Sequence, residues 1–253
     1  MENFPYQMIS NLRPQTTIQW KLKVRVTRMW RRMDRYGQTS GLNMIFVDEL
    51  GGRIHAWIPA QNMNMVENMI TEGQSYHIRN FVVRQYVPMQ TERCFRNDIY
   101  IQLYNMTEIV VTGAVEFIPQ HVFQFTALSE IINAALEDNY LIDVVGKVVQ
   151  VHPIRNFTNK YNQQKSSITF TINDITGLAE VTFHDELAHS FQQGLNNANQ
   201  HPIIVIISSC KSNFIEGEPK LTNRSATRFF INHDHEAVED LRNAIRLANW
   251  HYQ

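Results

Sequence analysis

"LNMIFVDELGGRIHAWIP" occupies residues 42–59, and "ITFTINDITGLAEVTFHD" occupies residues 168–185. Each is an alternating apolar run, an aspartate, two residues, a glycine and a second alternating run. Asp48 and Gly51 have the spacing of Asp174 and Gly177. Alternation with a period of two predicts a half-buried strand, and turn residues between two such runs predict a hairpin. In the first copy Leu42, Met44 and Phe46, then Ile54, Ala56 and Ile58, face one side. Asn43, Ile45, Arg53, His55 and Trp57 take the other. In the second copy Ile168, Phe170, Ile172, Ala179, Val181 and Phe183 point inward, and Thr169, Thr171, Glu180, Thr182 and His184 outward.

The flanking sequence repeats as well. In "WKLKVRV" Trp20, Leu22, Val24 and Val26 alternate with Lys21, Lys23 and Arg25, which predicts a strand with a basic outer face. "RMWRRMDRYGQTSG" reads as a loop. After the hairpin, "AQNMNMVENMITEG" has helical spacing and stops at Gly73, and "SYHIRNFVVRQ" and "DIYIQLYNMTEIVV" read as two further strands. The second half follows the same order. "YLIDVVGKVVQVH" is a strand and "PIRNFTNKYNQQKSS" a polar loop; after the hairpin "DELAHSFQQGL" is a helix. "HPIIVIISSCKS" is then a strand, "NFIEGEPKL" a turn and "TNRSATRFFIN" the last strand. Five strands with a helix between the third and fourth have the order of an OB-fold. The expectation is an all-β chain with short helices, built as two tandem five-stranded OB-fold barrels. The expected divisions are an N-terminal extension over 1–17, barrels over 18–113 and 140–235, a linker with one helix over 114–139, and a C-terminal helix over 236–253. Asp234 is expected to cap that helix, whose apolar spacing runs through Val238, Leu241, Ile245 and Leu247.

Composition narrows the function. Hydrophobic residues are 43% and charged residues 19% of 253, as in an ordinary globular protein. No apolar run reaches the roughly 18 residues that a membrane helix needs, and "MENFPYQMISNLRP" does not read as a secretory signal. Cys94 and Cys210, far apart, suit a reducing compartment and cannot form a four-cysteine zinc site. The net charge of −1 conceals an asymmetry: residues 1–110 hold 13 Lys/Arg against 9 Asp/Glu, and the rest 10 against 15. "KLKVRVTRMWRRMDR" is the densest basic stretch, with seven cations against Asp34 alone. No catalytic constellation stands out, so an enzyme is not expected. "HDHE" at 233–236 reads as a helix start because no third ligand is spaced to complete a metal site. Gly51-Gly52 reads as a turn because no phosphate-loop pattern follows it.

The second unit, "LIDVVGKVVQV", "KSSITFTINDITGLAEVTFHDELAHSF" and "PIIVIISSCKSNF", resembles the second single-stranded-DNA-binding domain of the replication protein A large subunit. The first, with "RVT" in its first strand and "VDELGGRIHA" at its hairpin, resembles the first such domain, and "MTEIVVTGAVEFIPQHVFQFT" resembles the connection between them. The likeness runs over residues 18–235 and rests on the order of many weak motifs; the first unit looks most like the short, plant-type branch of the family. It implies single-stranded DNA as ligand, in replication, repair or recombination, a nuclear setting, protein partners of a replication-protein-A-like complex, and neither cofactor, membrane nor small-molecule substrate. The family's N-terminal interaction barrel and zinc-containing third barrel are not expected here. His184 stands where the family's second domain has a stacking Trp, Phe214 retains its second stacking aromatic, and the first domain's stacking Phe falls at Leu42 or Asn43.

Single-strand binding needs cations for phosphates and flat side chains for bases. On the first unit the candidates are Arg25, Thr27, Arg28, Trp30, Arg31, Arg32 and Arg35 on or after strand one, Trp57 on strand three and Phe95 between Arg93 and Arg96. On the second they are Arg155, Lys160 and Lys165 in the polar loop, His184, and Lys211 and Phe214 about the later turn. Two alternatives stay open: single-stranded RNA on the same fold, and a protein-interaction module that has lost nucleic-acid binding.

Overall fold

The computed structural model describes residues 5–14, 19–34, 36–88, 90–113, 117–137 and 139–250. The chain divides into two compact units, Met1–Gln90 with Arg96–Val122, and Thr91–Phe95 with Phe123–Gln253.

In the first unit β1 (Lys21–Met33), β2 (Thr39–Val47) and β3 (Arg53–Pro59) form an antiparallel meander, followed by α1 (Ala60–Glu67). β4 (Ser75–Arg79) returns to pair with β1, and β5 (Val82–Gln85) follows it. Next, β6 (Ile99–Gln102) runs parallel to β3 and antiparallel to β5, and β7 (Glu108–Val111) pairs with β4. The expected fourth strand is thus β4 and β5, interrupted at Asn80, whose φ of 58° is a left-handed conformation that Asn tolerates better than most residues. The fifth is β6 and β7. The circuit of strands one, two, three, five and four closes into a barrel, as in an OB-fold. Leu22, Val24, Val26, Met44, Phe46, Ile54, Ala56 and Ile58 are fully buried inside it, as the alternation predicts.

One segment expected as loop is strand instead. β1 runs on through "RMWRRM" to Met33, and the turn begins only at Asp34. Its register against β2 shifts between Val26 and Arg28: Val26 lies opposite Phe46, yet Arg28 lies opposite Ile45. Thr27 is the extra residue of a β-bulge, and a bulge re-aims every side chain beyond it.

The second unit has the same circuit. α2 (Ile131–Glu137) precedes β8 (Ile142–Val151), β9 (Arg155–Thr158), β10 (Gln164–Asn173) and β11 (Leu178–His184). α3 (Glu186–Asn196), β12 (Ile204–Ile215), β13 (Glu218–Thr222), β14 (Arg228–Ile231) and α4 (Glu236–Trp250) complete it. β8 pairs with β10 and β12, β10 with β11, and β13 runs parallel to β11. The polar loop over 153–167 is a hairpin, with β9 laid antiparallel on the start of β10. The stretch 213–221 is also a hairpin, β12 to β13 about Glu216 and Gly217, so the last expected strand begins at Arg228. Phe170, Phe183 and Phe191 stack and tilt against one another in this barrel's core.

The repeated aspartates explain the duplication at the atomic level. Asp48 Oδ1 accepts from the N–H groups of Leu50 (3.1 Å) and Gly52 (2.8 Å), closing the β2–β3 turn. Its Oδ2 accepts from Ile9 N at 2.7 Å, where a 3-10 turn over Ile9–Asn11 begins. Asp174 does the same: Oδ1 accepts from Thr176 N (2.8 Å) and Gly177 N (3.1 Å), and Oδ2 from Leu128 N (2.7 Å) at the start of the 3-10 turn Leu128–Glu130. Each carboxylate therefore shapes its own hairpin and satisfies the orphan donor of a 3-10 turn that plugs the barrel. Ile9 and Leu12, expected in an extension, lie in the first core, and Leu128 and Ile131 in the second.

α4 lays Val238, Leu241 and Ile245 against Ile204 and Ile206 of β12, with Leu247 left 65% exposed. Its first turn is capped by His235, whose Nδ1 accepts from Ala237 N at 3.1 Å, rather than by Asp234.

Candidate nucleic-acid interface

The Thr27 bulge decides what the first barrel shows to solvent. Even-numbered residues up to Val26 enter the core; beyond the bulge Arg28, Trp30 and Arg32 pair with Ile45, Asn43 and Gly41 on the outer face. β3 adds Arg53, His55 and Trp57 to that face, β6 adds Tyr100 and Gln102, and β5 adds Arg84 opposite Tyr100. A single sheet surface thus gathers arginines and aromatic rings, the pairing that single-strand recognition uses.

Trp57 lies across Gly41. A Cβ added at Gly41 would collide with the Ile58 carbonyl oxygen and come 2.7 Å from Cζ3 of the indole, so glycine is what leaves room for the ring over β2. The Arg32 guanidinium sits 5.6 Å from the Trp57 ring centroid, a cation–π distance. Trp30 stands nearly parallel to His55, at 16° and 6.2 Å between centroids. His55 is held at both nitrogens, Nδ1 2.6 Å from the Tyr86 hydroxyl and Nε2 2.7 Å from Asn43 Oδ1. With the Asn43 oxygen accepting from Nε2–H, neutral His55 takes the Tyr86 O–H at Nδ1. Burial first, then the positive charge of Arg32, pushes the His55 pKa down to about 4. Tyr100 tilts against Tyr86 at 4.9 Å. Arg84 Nε donates to Gln102 Oε1 at 3.3 Å, and Arg53 Nη1 to Val122 O at 3.0 Å.

The second barrel has the same bulge, between the pairs Thr171–Gln150 and Ile172–Val148. Matching registers set its Gln150 in the place of Arg28, Glu180 in the place of His55 and Thr182 in the place of Trp57. Hydroxyls dominate this face, with Thr169 Oγ1 3.2 Å from Thr182 Oγ1. Three of its cations are paired with carboxylates: Lys165 with Asp185 (2.7 Å), Lys220 with Glu180 (2.8 Å) and Arg224 with Glu92 (2.6 Å). The His184 pKa is lowered, by burial foremost and by Arg224 and Lys165.

The structure sets Trp30, Arg32 and Trp57 on one face. Arg28 has the register of that face but is only 7% exposed, so, against the sequence-based expectation, it offers a ligand no open surface. Thr27 supplies the bulge, its Oγ1 donating to Ile45 O at 3.2 Å. Arg25 lies before the bulge and donates to Gly73 O at 3.3 Å. Arg31 points the other way and pairs with Glu67 of α1 at 2.6 Å. Arg35 lies outside the described residues. Phe95 is a buried residue of the second unit, and Lys211 is 4% exposed, so neither offers a surface for a ligand. Arg155 is exposed on β9 opposite Ser167 and Lys160 rests over Tyr161, while Phe214, 44% exposed, is the last residue but one of β12, in a strand rather than in the turn. The sequence-based candidates omit Arg53, His55, Arg84, Tyr86, Asn43 and Tyr100. Parity in "IYIQ" sets Tyr100 outward with Gln102, but Tyr86 follows the end of β5 and carries no periodic signal. Among the described residues no group of three or more His, Cys, Asp or Glu is placed to hold a metal ion. No helix among them is long and apolar enough to cross a membrane.

A family model described as a domain of unknown function, DUF223, matches residues 10–134. The chain is 24% identical over 232 residues to a replication protein A 70 kDa DNA-binding subunit of Arabidopsis thaliana, covering 88% of this chain and 29% of that protein. It is 25% identical over 233 residues to a replication protein A 70 kDa DNA-binding subunit of Oryza sativa subsp. japonica, covering 88% and 34%. The chain spans about a third of the length of these relatives. Among solved structures, a replication protein A heterotrimer bound to single-stranded DNA matches with a TM-score of 0.61 at 19% identity, over 97% of this chain and 56% of that one. The resemblance read from the sequence is thereby met, and the OB-fold class with it.

Proposed function

We propose that this chain binds single-stranded nucleic acid, DNA foremost, across the outer face of its first barrel. The observation that carries the reading is the joint display of Arg32 over Trp57, with Trp30, His55 and Arg84, on one sheet surface. Arginines there neutralise phosphates and the rings receive bases. The second barrel, with hydroxyls and carboxylate-paired cations on its face, contributes a weaker site, and two weak sites on one chain gain avidity on a long strand. The relatives' names support DNA as ligand, and we extend from them a role in replication, repair or recombination in the nucleus, beside partner subunits of a replication-protein-A-like complex. The role is one of binding, not catalysis.

Titrating the full chain with a long oligothymidine at several salt concentrations tests the reading. Affinity that falls steeply with salt supports it, and absence of binding at low salt would leave the interaction-module alternative. Competition between matched DNA and RNA strands separates the two nucleic acids, because the fold's stacking surfaces do not by themselves reject a 2′-hydroxyl.

A further inference from the structure

We propose that His55 is a second base platform beside Trp57, and that Asn43 and Tyr86 are the positioning residues that hold it in place. This rests on the single-strand reading above and adds the register in which bases would lie.

Trp57 and His55 are both outward residues of β3, two positions apart. Two residues of strand advance about 6.7 Å, a step that suits neighbouring bases of an extended, unstacked strand. Each ring is held in its own way: Trp57 by close packing on Gly41, His55 by hydrogen bonds at both nitrogens, 2.6 and 2.7 Å long. Turning the imidazole would break both bonds, so its orientation is set before any ligand arrives, which lowers the ordering cost of binding. The imidazole and the Tyr86 ring are parallel to within 5°, with centroids 6.1 Å apart, and are joined through the Nδ1–hydroxyl bond. Tyr86 and Asn43 are only 7% and 6% exposed, while His55 is half-buried. The histidine is the most exposed of the three, its ring bordered by Trp30 at 6.2 Å and Tyr100 at 6.0 Å between centroids, and its two hydrogen-bond partners act through it. Being held neutral, the ring stacks as an uncharged aromatic. The second barrel, with Glu180 and Thr169 in the places of His55 and Asn43, has no such platform.

The test is an abasic scan with the full chain. Oligothymidines carrying one abasic position are compared for the wild type, His55→Leu and Tyr86→Phe, with thermal unfolding and the salt dependence of binding measured beside them. Loss of the stacking ring in His55→Leu should weaken binding about 5- to 100-fold, and loss of one hydrogen bond in Tyr86→Phe about 2- to 10-fold. Neither should change the salt slope. The decisive readout is coupling: one abasic position that costs the wild type affinity should cost His55→Leu nothing further. Identical abasic penalties in wild type and His55→Leu, or a lowered melting temperature with affinity intact, would overturn the proposal while leaving single-strand binding standing. A wild type that binds no strand at all would overturn both.

Discussion

Arg31 and Arg32 are neighbours in sequence and belong, beyond the bulge, to opposite faces of β1. Arg32 projects over Trp57 on the outer surface, whereas Arg31 reaches Glu67 of α1 at 2.6 Å. Replacing each by Ala should therefore separate phosphate contact from surface charge within one residue step. If Arg32 meets one phosphate, Arg32→Ala should flatten the slope of log K against log salt by about 0.7. Over a fourfold rise in salt, a change of that size alters the loss of affinity by about 2.6-fold, well within reach of a fluorescence-anisotropy titration on oligothymidine. Arg31→Ala should leave the slope at its wild-type value. Its cost is the exposed Glu67 pair, at most about 1 kcal/mol of stability, seen in denaturant unfolding. Equal slopes for the two variants, or flattening in Arg31→Ala alone, would refute the placement of Arg32 on the ligand side of the bulge.

Gly41→Val should push the Trp57 indole off β2 and also strain the β2–β3 backbone at the Ile58 carbonyl, costing at least about 1–3 kcal/mol of stability from overpacking and weakening oligothymidine binding, with the displaced ring visible in near-UV circular dichroism. Trp57→Ala and Phe214→Ala should each cost about 1–3 kcal/mol of binding if the rings stack on bases; for Phe214, 44% exposed, the loss of affinity should come without a marked change in melting temperature. His55 carries a folded pKa of about 4 against about 6.5 unfolded. The unfolded chain alone takes up its proton between those values, so acidification from pH 6.5 to 4 should remove up to about 3 kcal/mol of stability and no more below pH 4. His77, His184 and His233 are also lowered, so the measurement is the difference in pH-dependent unfolding between wild type and His55→Gln, and parallel curves would refute it.

Both hairpins are legible in the sequence because their burial is complete on one face. With Leu42, Met44 and Phe46 in the core and a period of two, a one-residue slip would expose all three. The aspartates are legible as turn residues but not as caps of 3-10 turns, since their second oxygen bonds a backbone N–H 39 or 46 residues away. The basic stretch reads as loop, where the fold has strand, for a related reason. Val24 and Val26 set a parity that would drive Arg28, Trp30 and Arg32 into the core, and a loop reading escapes that conflict by ending the strand. The fold resolves it with one inserted residue. An arginine at core parity inside an otherwise regular strand is the trace that a bulge leaves in sequence, and it is present at Arg28.

Comparing the two copies gives the bulge its functional weight. Both barrels carry it, so it belongs to the architecture, and what differs is the set of side chains it turns outward: Arg28, Trp30 and Arg32 on one β1, Gln150 on the matching strand β8. The partner strands differ in the same sense, His55 and Trp57 against Glu180 and Thr182. Arg28 apart, which is itself buried, the inner faces of both hairpins are complete without these outward residues. A stability requirement acting on the shared fold gives no reason for one copy to collect rings and an arginine laid over an indole while the other collects hydroxyls and ion pairs. The unequal ligand contact proposed above does, with the stronger contact on the first barrel.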